Sequence, residues 1–104
     1  MKQRNIIPDI KNVLQRLVPN AEIILYGSVA RGEETKDSDI DLLILVDTEK
    51  LTYDEKGKIV HSLDDIESKT GIAISPIIRT QAEWLEVPFR TPFMINVINE
   101  GIRL

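Results

Sequence analysis

Two aspartates stand at the start of an apolar stretch of the chain, where acidic side chains are unusual. Asp39 and Asp41 are separated by Ile40, and an apolar run from Leu42 to Val46 follows directly. Successive side chains of a strand point to opposite faces, so both carboxylates are expected on one face, with Ile40 and Leu42 on the other. About 6 Å apart, two such charges repel by on the order of 3 kcal/mol at an effective dielectric constant near 20. A divalent cation would turn this repulsion into attraction, and Mg²⁺ is commonly held by one or two carboxylates together with substrate phosphates.

A second candidate feature is the sequence GSVARG at residues 27–32, which follows a predicted strand. Gly27 permits close backbone approach, and Ser28 supplies a hydroxyl and an amide at what is expected to be a helix start. Arg31 adds a fork of donors suited to phosphate. Each feature has a simpler interpretation, namely an ordinary tight turn and a strand that begins with two solvated acids. A phosphate-binding turn followed by two carboxylates on the next strand is much less expected by chance.

The elements that must position these residues follow from periodicity and capping signals. The spacing predicts helices over Asn5–Val18, from a Thr52/Glu55 capping box to about Lys69, around Trp84 and Leu85 after a second capping box, and from Phe93 to about Glu100. It predicts strands over Glu22–Tyr26, Asp39–Val46 and Ile72–Arg79, and a short final strand in IRL. Pro76 indicates an edge strand or a bulge. This order predicts an α+β fold of two layers, with a small mixed sheet flanked by helices.

Composition sets limits on the function. The chain has 104 residues, which suits a single domain over residues 1–104. The net charge of −4 argues against an extended nucleic-acid surface, although one polyanionic small molecule could bind through a metal. There is no cysteine, and the single His61 cannot form a histidine metal cluster. No apolar stretch approaches the roughly 18 residues of a membrane span, so a cytoplasmic protein is expected.

The string G-S-x-A-R-G followed by S-D-I-D-L resembles the signature of the DNA polymerase beta-like nucleotidyltransferase superfamily, in particular its minimal nucleotidyltransferase branch. The motif occupies residues 26–46, and with the flanking elements and the ending INVINEGIRL the resemblance extends over nearly the whole chain. It implies the nucleotidyltransferase fold. It also implies that Gly27 and Ser28 hold the triphosphate of ATP or another nucleotide, that Arg31 lies near the phosphates, and that Asp39 and Asp41 ligate Mg²⁺ and are catalytic.

The implied reaction is attack by an acceptor hydroxyl on the α-phosphorus, with release of pyrophosphate. Active members of the superfamily usually carry a third carboxylate on a later strand. Here Ala73 and Ser75 occupy the expected positions, and no acid occurs between Glu67 and Glu83. The sequence therefore predicts a site that could bind a metal–nucleotide complex and yet transfer slowly or not at all.

The resemblance also suggests an alternative function. Minimal nucleotidyltransferases often pair with a helical HEPN-type protein, sometimes as the antitoxin of a toxin–antitoxin pair, so the chain could be a catalytically weak partner-binding module. A nucleotide-sensing pseudoenzyme and a homo-oligomer also remain open. Trp84, Phe89 and Phe93 could pack the C-terminal helices onto the sheet or form a partner surface, and packing is the simpler interpretation. His61 is expected on the surface or rim of its helix.

Overall fold

The computed structural model describes residues 2–104. Helices and strands alternate along them in an order close to the predicted one. The helices are α1 Gln3–Leu17, α2 Gly27–Arg31, α3 Tyr53–Thr70, α4 Gln81–Leu85 and α5 Pro92–Glu100, and the strands are β1 Glu22–Tyr26, β2 Ile40–Val46, β3 Ile74–Thr80 and β4 Ile102–Arg103. The short helix α2 begins at Gly27, beside the helix start expected at Ser28, and takes up the first part of a segment otherwise expected to be a loop.

The four strands form one mixed sheet in the order β3-β2-β1-β4. β2 pairs with β3 in parallel, across the connection through α3, and with β1 in antiparallel. β1 also pairs with β4 in antiparallel. The prediction of a small mixed sheet flanked by helices is confirmed. Pro76 lies on β3, at the edge of the sheet, where proline removes no needed ladder donor.

Helices cover both faces of the sheet, and the faces differ in how well they are covered. α1 and α3 pack on one face and enclose the larger core, whose helical members are Ile6, Ile10, Leu14, Ile59, Leu63 and Ile66. Each fully buried aliphatic side chain of this kind contributes roughly 1.5–3 kcal/mol. The other face carries a smaller cluster beneath α4 and α5, built on Leu43, Leu45 and Val97.

Strand β2 lies in the middle of the sheet and decides which side chains reach each face. Ile40 and Leu42 are fully buried in the larger core, as predicted. Leu43 and Leu45 point to the α4–α5 face, and so does Asp41 by the alternation of the strand. Asp41 is the only polar residue of β2 and its only residue that is not buried. The central strand therefore carries one acid at an otherwise apolar site.

Element boundaries moved by one or two residues from the predicted ones. β2 begins at Ile40 rather than Asp39, and β3 begins at Ile74 rather than Ile72. The first bond between them runs from the Ile40 N–H to the Ala73 carbonyl (2.9 Å), so Ala73 joins the ladder through its carbonyl although it precedes β3. The predicted helix starts hold, because the hydroxyls of Thr52, Thr80 and Thr91 each accept a hydrogen bond from the amide three residues later.

Within residues 2–104 there is no helix with both the length and the apolar character that crossing a membrane requires.

Candidate functional site

The two predicted acids meet at the N-terminal end of β2. Asp41 lies opposite Tyr26 of β1 and opposite Ser75 of β3 in the strand register. Asp39 precedes the strand and is exposed, and its Oδ2 accepts a hydrogen bond of 3.0 Å from Ser75 Oγ. Asp39 lies near enough to Asp41 for its charge to raise the pKa of the Asp41 carboxyl group. The structure therefore brings Asp39 and Asp41 together, as their spacing predicts.

The electrostatics of Asp41 are unfavourable in the free protein. Partial burial raises the pKa of its carboxyl group above the ordinary value of 3.8, and the negative charge of Asp39 raises it further. Arg31 opposes this pKa shift and Glu100 adds to it. Among residues 2–104, none donates a hydrogen bond to the Asp41 side chain. A cation at this position would relieve the strain that two neighbouring carboxylates impose on the fold.

The donor atoms at this end of β2 suit a hard divalent cation. Asp39 and Asp41 offer carboxylate oxygens, which Mg²⁺ prefers over nitrogen or sulfur ligands. In the described part of the chain, no group of three or more His, Cys, Asp or Glu side chains converges to form a metal site by itself. In a magnesium site the protein usually supplies one or two carboxylates, and oxygens of water or phosphate fill the remaining coordination positions. The residues present therefore fit a magnesium ion that a substrate helps to hold.

The turn after β1 packs directly on Asp41. Gly27 has a φ of +78°, in the left-handed region that favours glycine. A β-carbon at Gly27 would overlap the Asp41 carboxylate, so any side chain there would also displace the acid. The glycine–serine turn and the acidic pair consequently form one continuous site, although 13 residues of chain lie between Gly27 and Asp41.

Ser28 and Arg31 follow on the short helix α2. Ser28 is partly buried, and no described residue forms a hydrogen bond with its hydroxyl. Arg31 is engaged: its Nη1 donates to both carboxylate oxygens of Glu100, at 3.1 and 3.0 Å, and its Nε lies 3.5 Å from Glu33 Oε1. These acceptors raise the pKa of the Arg31 guanidinium, with the Glu100 hydrogen bond as the main cause.

Glu100, the last residue of α5, is a member of the site that sequence reasoning missed. Its Oε1 accepts a hydrogen bond of 3.1 Å from the Gly27 amide as well as the bond from Arg31, and these partners lower the pKa of its carboxyl group. An acid in the last turn of a helix opposes the helix dipole. The last turn of α5 contains no basic residue that could compensate this charge. The unfavourable position of the acid was therefore the one signal in the sequence that Glu100 has a cationic partner elsewhere.

A second missed residue, Gln3, holds the loop that leads to Asp39. It is 3% exposed, and its Nε2 donates hydrogen bonds to the carbonyl oxygens of Thr35 (2.8 Å) and Ser38 (2.9 Å). A buried side-chain amide that satisfies two carbonyls fixes the backbone in front of β2. No local sequence signal links Gln3 to this loop, because the contact spans more than 30 residues.

Of the two candidate positions for a third carboxylate, Ala73 and Ser75, the structure favours Ser75. Ser75 lies beside Asp41 in the parallel register and contacts Asp39. Ala73 precedes β3, is exposed, and contributes its carbonyl to the β2–β3 ladder. Ser75 therefore occupies the place on β3 from which an acid would reach the pair.

The aromatic residues divide between packing and exposure. Phe93 makes edge-to-face contacts with Tyr26 (centroids 5.3 Å apart) and Trp84 (6.3 Å), which confirms packing of the C-terminal helices on the sheet. Phe89 does not join this cluster and is 73% exposed. His61 is exposed on α3, as predicted.

Beside the aromatic cluster lies an open groove of about 340 Å³ between α4, α5 and strands β1 and β4. Its lining includes Ile24, Leu45, Trp84, Leu85, Val97 and Ile98. Leu85 and Ile98 are 78% and 50% exposed. The smaller helical layer therefore leaves apolar surface uncovered on this side of the sheet.

Comparison with known proteins places this geometry in context. A family model described as a nucleotidyltransferase domain matches residues 7–102. Two curated proteins of Methanocaldococcus jannaschii are similar: "Putative protein adenylyltransferase MJ0141", at 36% identity over 92% of this chain and 88% of that protein, and "Putative protein adenylyltransferase MJ0604", at 34% identity over 77% and 73%.

Solved structures with the same fold include chains of toxin–antitoxin complexes. A toxin–antitoxin complex with AMP-PNP superposes with a TM-score of 0.65 at 18% identity, over 92% of this chain and 69% of that chain. An MntA–HpeT toxin–antitoxin complex superposes with a TM-score of 0.63 at 20% identity, over 100% of this chain and 72% of that chain. At these identities the likeness establishes the fold.

Proposed function

The chain belongs to the nucleotidyltransferase domain family, and on that premise we propose that it is an Mg²⁺-dependent transferase that moves AMP from ATP to an acceptor hydroxyl. We assign Asp39 and Asp41 to the metal, and Gly27, Ser28 and Arg31 to the phosphates. The names of the two M. jannaschii relatives favour a protein side chain as the acceptor. The whole reaction would take place in the cytoplasm, where both ATP and Mg²⁺ are plentiful.

The observation that carries the proposal is the contact between the Gly27 turn and Asp41. Because a β-carbon at Gly27 would overlap the Asp41 carboxylate, the backbone that would meet phosphate lies against a side chain that would meet metal. A metal-bound triphosphate needs both at once, since Mg²⁺ in such sites is shared between carboxylates and phosphate oxygens.

The proposed step exchanges one oxygen on the α-phosphorus for another. The acceptor oxygen bonds to the α-phosphorus, the bond from that phosphorus to the bridging oxygen breaks, pyrophosphate leaves, and the hydroxyl proton is lost to solvent. Bound Mg²⁺ would orient the nucleotide and neutralise charge that develops in the transition state. The protein contributes the placement of the carboxylates, and Ser28 offers a hydroxyl with no described partner. Ser75, being a hydroxyl rather than a carboxylate, gives the site no third acid.

Calorimetry of Mg·ATP binding to the wild type, Asp39→Asn and Asp41→Asn tests the site. We expect both variants to lose metal-dependent nucleotide binding while they keep the wild-type circular dichroism spectrum. Asp64→Asn, on the exposed surface of α3, is the charge-matched control and should bind as the wild type does. Unchanged Mg·ATP binding in both site variants would rule out the proposal. Transfer itself is tested with α-labelled ATP in the presence of a partner protein.

A second candidate function, a weakly catalytic or inactive partner-binding module, is favoured by two observations. Ser75 stands where an acid would complete the acidic site, and the α4–α5 face exposes an apolar groove. On this proposal the chain acts as an antitoxin-like module whose partner is a helical HEPN-type protein, in line with the toxin–antitoxin structures that share its fold. Tight complex formation without detectable labelling of the partner would favour this function over the transferase.

A further inference from the structure

A carboxylate already occupies the donors that the proposed function assigns to phosphate. Glu100 Oε1 accepts hydrogen bonds from the Gly27 amide and from Arg31 Nη1, both at 3.1 Å, and Glu100 Oε2 lies 3.0 Å from the same Nη1. Carboxylate and phosphate oxygens seek the same donors, a backbone N–H and a guanidinium. A phosphate oxygen cannot take the Gly27 hydrogen at full strength while Glu100 holds it.

The location of Glu100 is fixed by the fold, whereas its side chain reaches solvent. Gly101, the next residue, lies so close to Ile24 and Val97 that a β-carbon there would overlap them. Ile102 then pairs with Leu25 in the sheet. The end of α5 is therefore anchored beside the Gly27 turn. The Glu100 side chain is 22% exposed, so a rotamer change toward solvent can free both donors without moving the helix.

The charge of Glu100 works against a bound nucleotide. The carboxylate adds a further negative charge at the Gly27 turn, against which Asp41 packs. A triphosphate at this turn would bring further negative charge beside it. Losing the Glu100 charge would remove both a competitor for the donors and a source of repulsion.

We propose that Glu100 is an internal competitor of the nucleotide: its carboxylate holds the Gly27 amide and Arg31 in the free protein and is displaced when the triphosphate binds. The residue thereby sets how tightly the nucleotide is held. This inference rests on the proposed function, because it takes the same turn as the phosphate site.

The test compares Glu100→Gln and Glu100→Ala with the wild type, by calorimetry of Mg·ATP and of metal-free inorganic tripolyphosphate. Glu33→Gln is the matched control, because Glu33 also pairs with Arg31 and its loss changes the net charge equally, yet it makes no described bond to Gly27. Both Glu100 variants should bind each ligand about fivefold or more tightly, since a charge-assisted competitor is gone, and Glu33→Gln should change affinity by less than about twofold.

Weaker or unchanged binding by folded Glu100→Gln would overturn the inference and make Glu100 a support for the turn. A second measurement uses the wild type alone: addition of Mg·AMP-PNP should shift the NMR signals of the Glu100 side-chain carboxyl carbon and the Gly27 amide. A Glu100 carboxyl signal that stays in place while nucleotide binds would also overturn it. If the wild type binds Mg·ATP and Asp41→Asn does not, the proposed function stands whatever the Glu100 result. If neither the wild type nor any variant binds Mg·ATP, both the proposed function and this inference are wrong.

Discussion

Ser75 Oγ donates a hydrogen bond of 3.0 Å to Asp39 Oδ2 across the start of the parallel β2–β3 pair. The hydroxyl thus stands on the neighbouring strand within reach of the acidic pair. It partly satisfies one carboxylate but brings no charge and cannot serve as a general base at neutral pH. The activity of this chain should therefore respond strongly to what stands at position 75.

The first prediction concerns that position. Ser75→Asp should lower the melting temperature in the absence of divalent metal, because three carboxylates would then repel one another. Added Mg²⁺ should restore the lost stability by mass action. Transfer from α-labelled ATP should rise about 10- to 100-fold if the acid supplies the missing base.

Ala73→Asp is the comparison for this prediction, because Ala73 is exposed and precedes β3. It should show neither the Mg²⁺-dependent gain in melting temperature nor the gain in transfer. A gain in Ala73→Asp without one in Ser75→Asp would show that position 73, and not position 75, is where an acid completes the site. A parent protein that already transfers rapidly would show that no third acid is needed.

The second prediction concerns Gly27. Gly27→Ala should destabilise the fold by about 1–3 kcal/mol from the positive φ alone, and by more through the overlap with Asp41. Urea unfolding measures this loss. Gly57→Ala is the control, since Gly57 is exposed within α3 with open space around it, and alanine there should stabilise by about 0.5–1 kcal/mol. Equal behaviour of the two variants would mean that Gly27 is not held against the acid.

The third prediction is a pH dependence of stability. The folded-state pKa of Asp41 is raised by burial and by Asp39, so the folded protein binds this proton more tightly than the unfolded chain does. The charged carboxylate therefore destabilises the fold above its folded pKa, and the cost disappears as the pH falls through that value toward the unfolded 3.8. Asp41→Asn should melt at a higher temperature than the wild type at pH 7.

The melting difference between Asp41→Asn and the wild type should shrink steadily as the pH is lowered. Glu100 has a lowered pKa, and its stabilising contribution is lost as the pH falls through its folded value. Because both proteins carry Glu100, taking their difference at each pH removes most of this opposing trend. A difference that grows toward acid pH would contradict the sign derived for Asp41.

The fourth prediction concerns the uncovered groove on the α4–α5 face. Leu85→Ser and Ile98→Ser should change the melting temperature little, because both side chains are largely exposed. They should weaken binding of a helical HEPN-type partner by about tenfold or more if the groove is the binding site of that partner. Tyr53→Ser is the control, since Tyr53 is 96% exposed at the start of α3, on the other face of the sheet. Equal weakening of partner binding in all three variants, or no weakening in any, would show that the partner does not bind in the groove.

Local signals in the sequence predicted most of the fold because each depends on a few neighbouring residues. Thr80 and Glu83 form the complete capping box that their spacing indicates, and Gly71 ends α3 in the left-handed conformation. The alternation around Asp41 correctly assigned its face on β2. The start of α2 was indicated at Ser28, but its extent was not, because its five residues are too few to show a helical period.

Contacts between distant parts of the chain could not be predicted from the sequence. Glu100 meets Gly27 across 73 residues, and the pairing of β4 with β1 and the packing of α5 on β1 bring them together. The choice between Ala73 and Ser75 likewise needed the register of β3 on β2, because a two-residue slip would have set Ala73 opposite Asp41. The roles of Gly27, Ser28, Arg31, Asp39 and Asp41 in binding metal and nucleotide remain predictions, as does the extent of the domain.

The buried amide of Gln3 has a consequence for how a ligand would be received. By holding the carbonyls of Thr35 and Ser38, it ties the loop before β2 to the first turn of α1. Opening this loop would leave the buried amide of Gln3 without its partners, at a cost of roughly 1–3 kcal/mol. Asp39 is thus preorganised before any cation arrives, so little ordering entropy would be lost when one binds. The amide hydrogens of this loop should accordingly exchange with solvent at rates closer to those of the core than to those of a free loop.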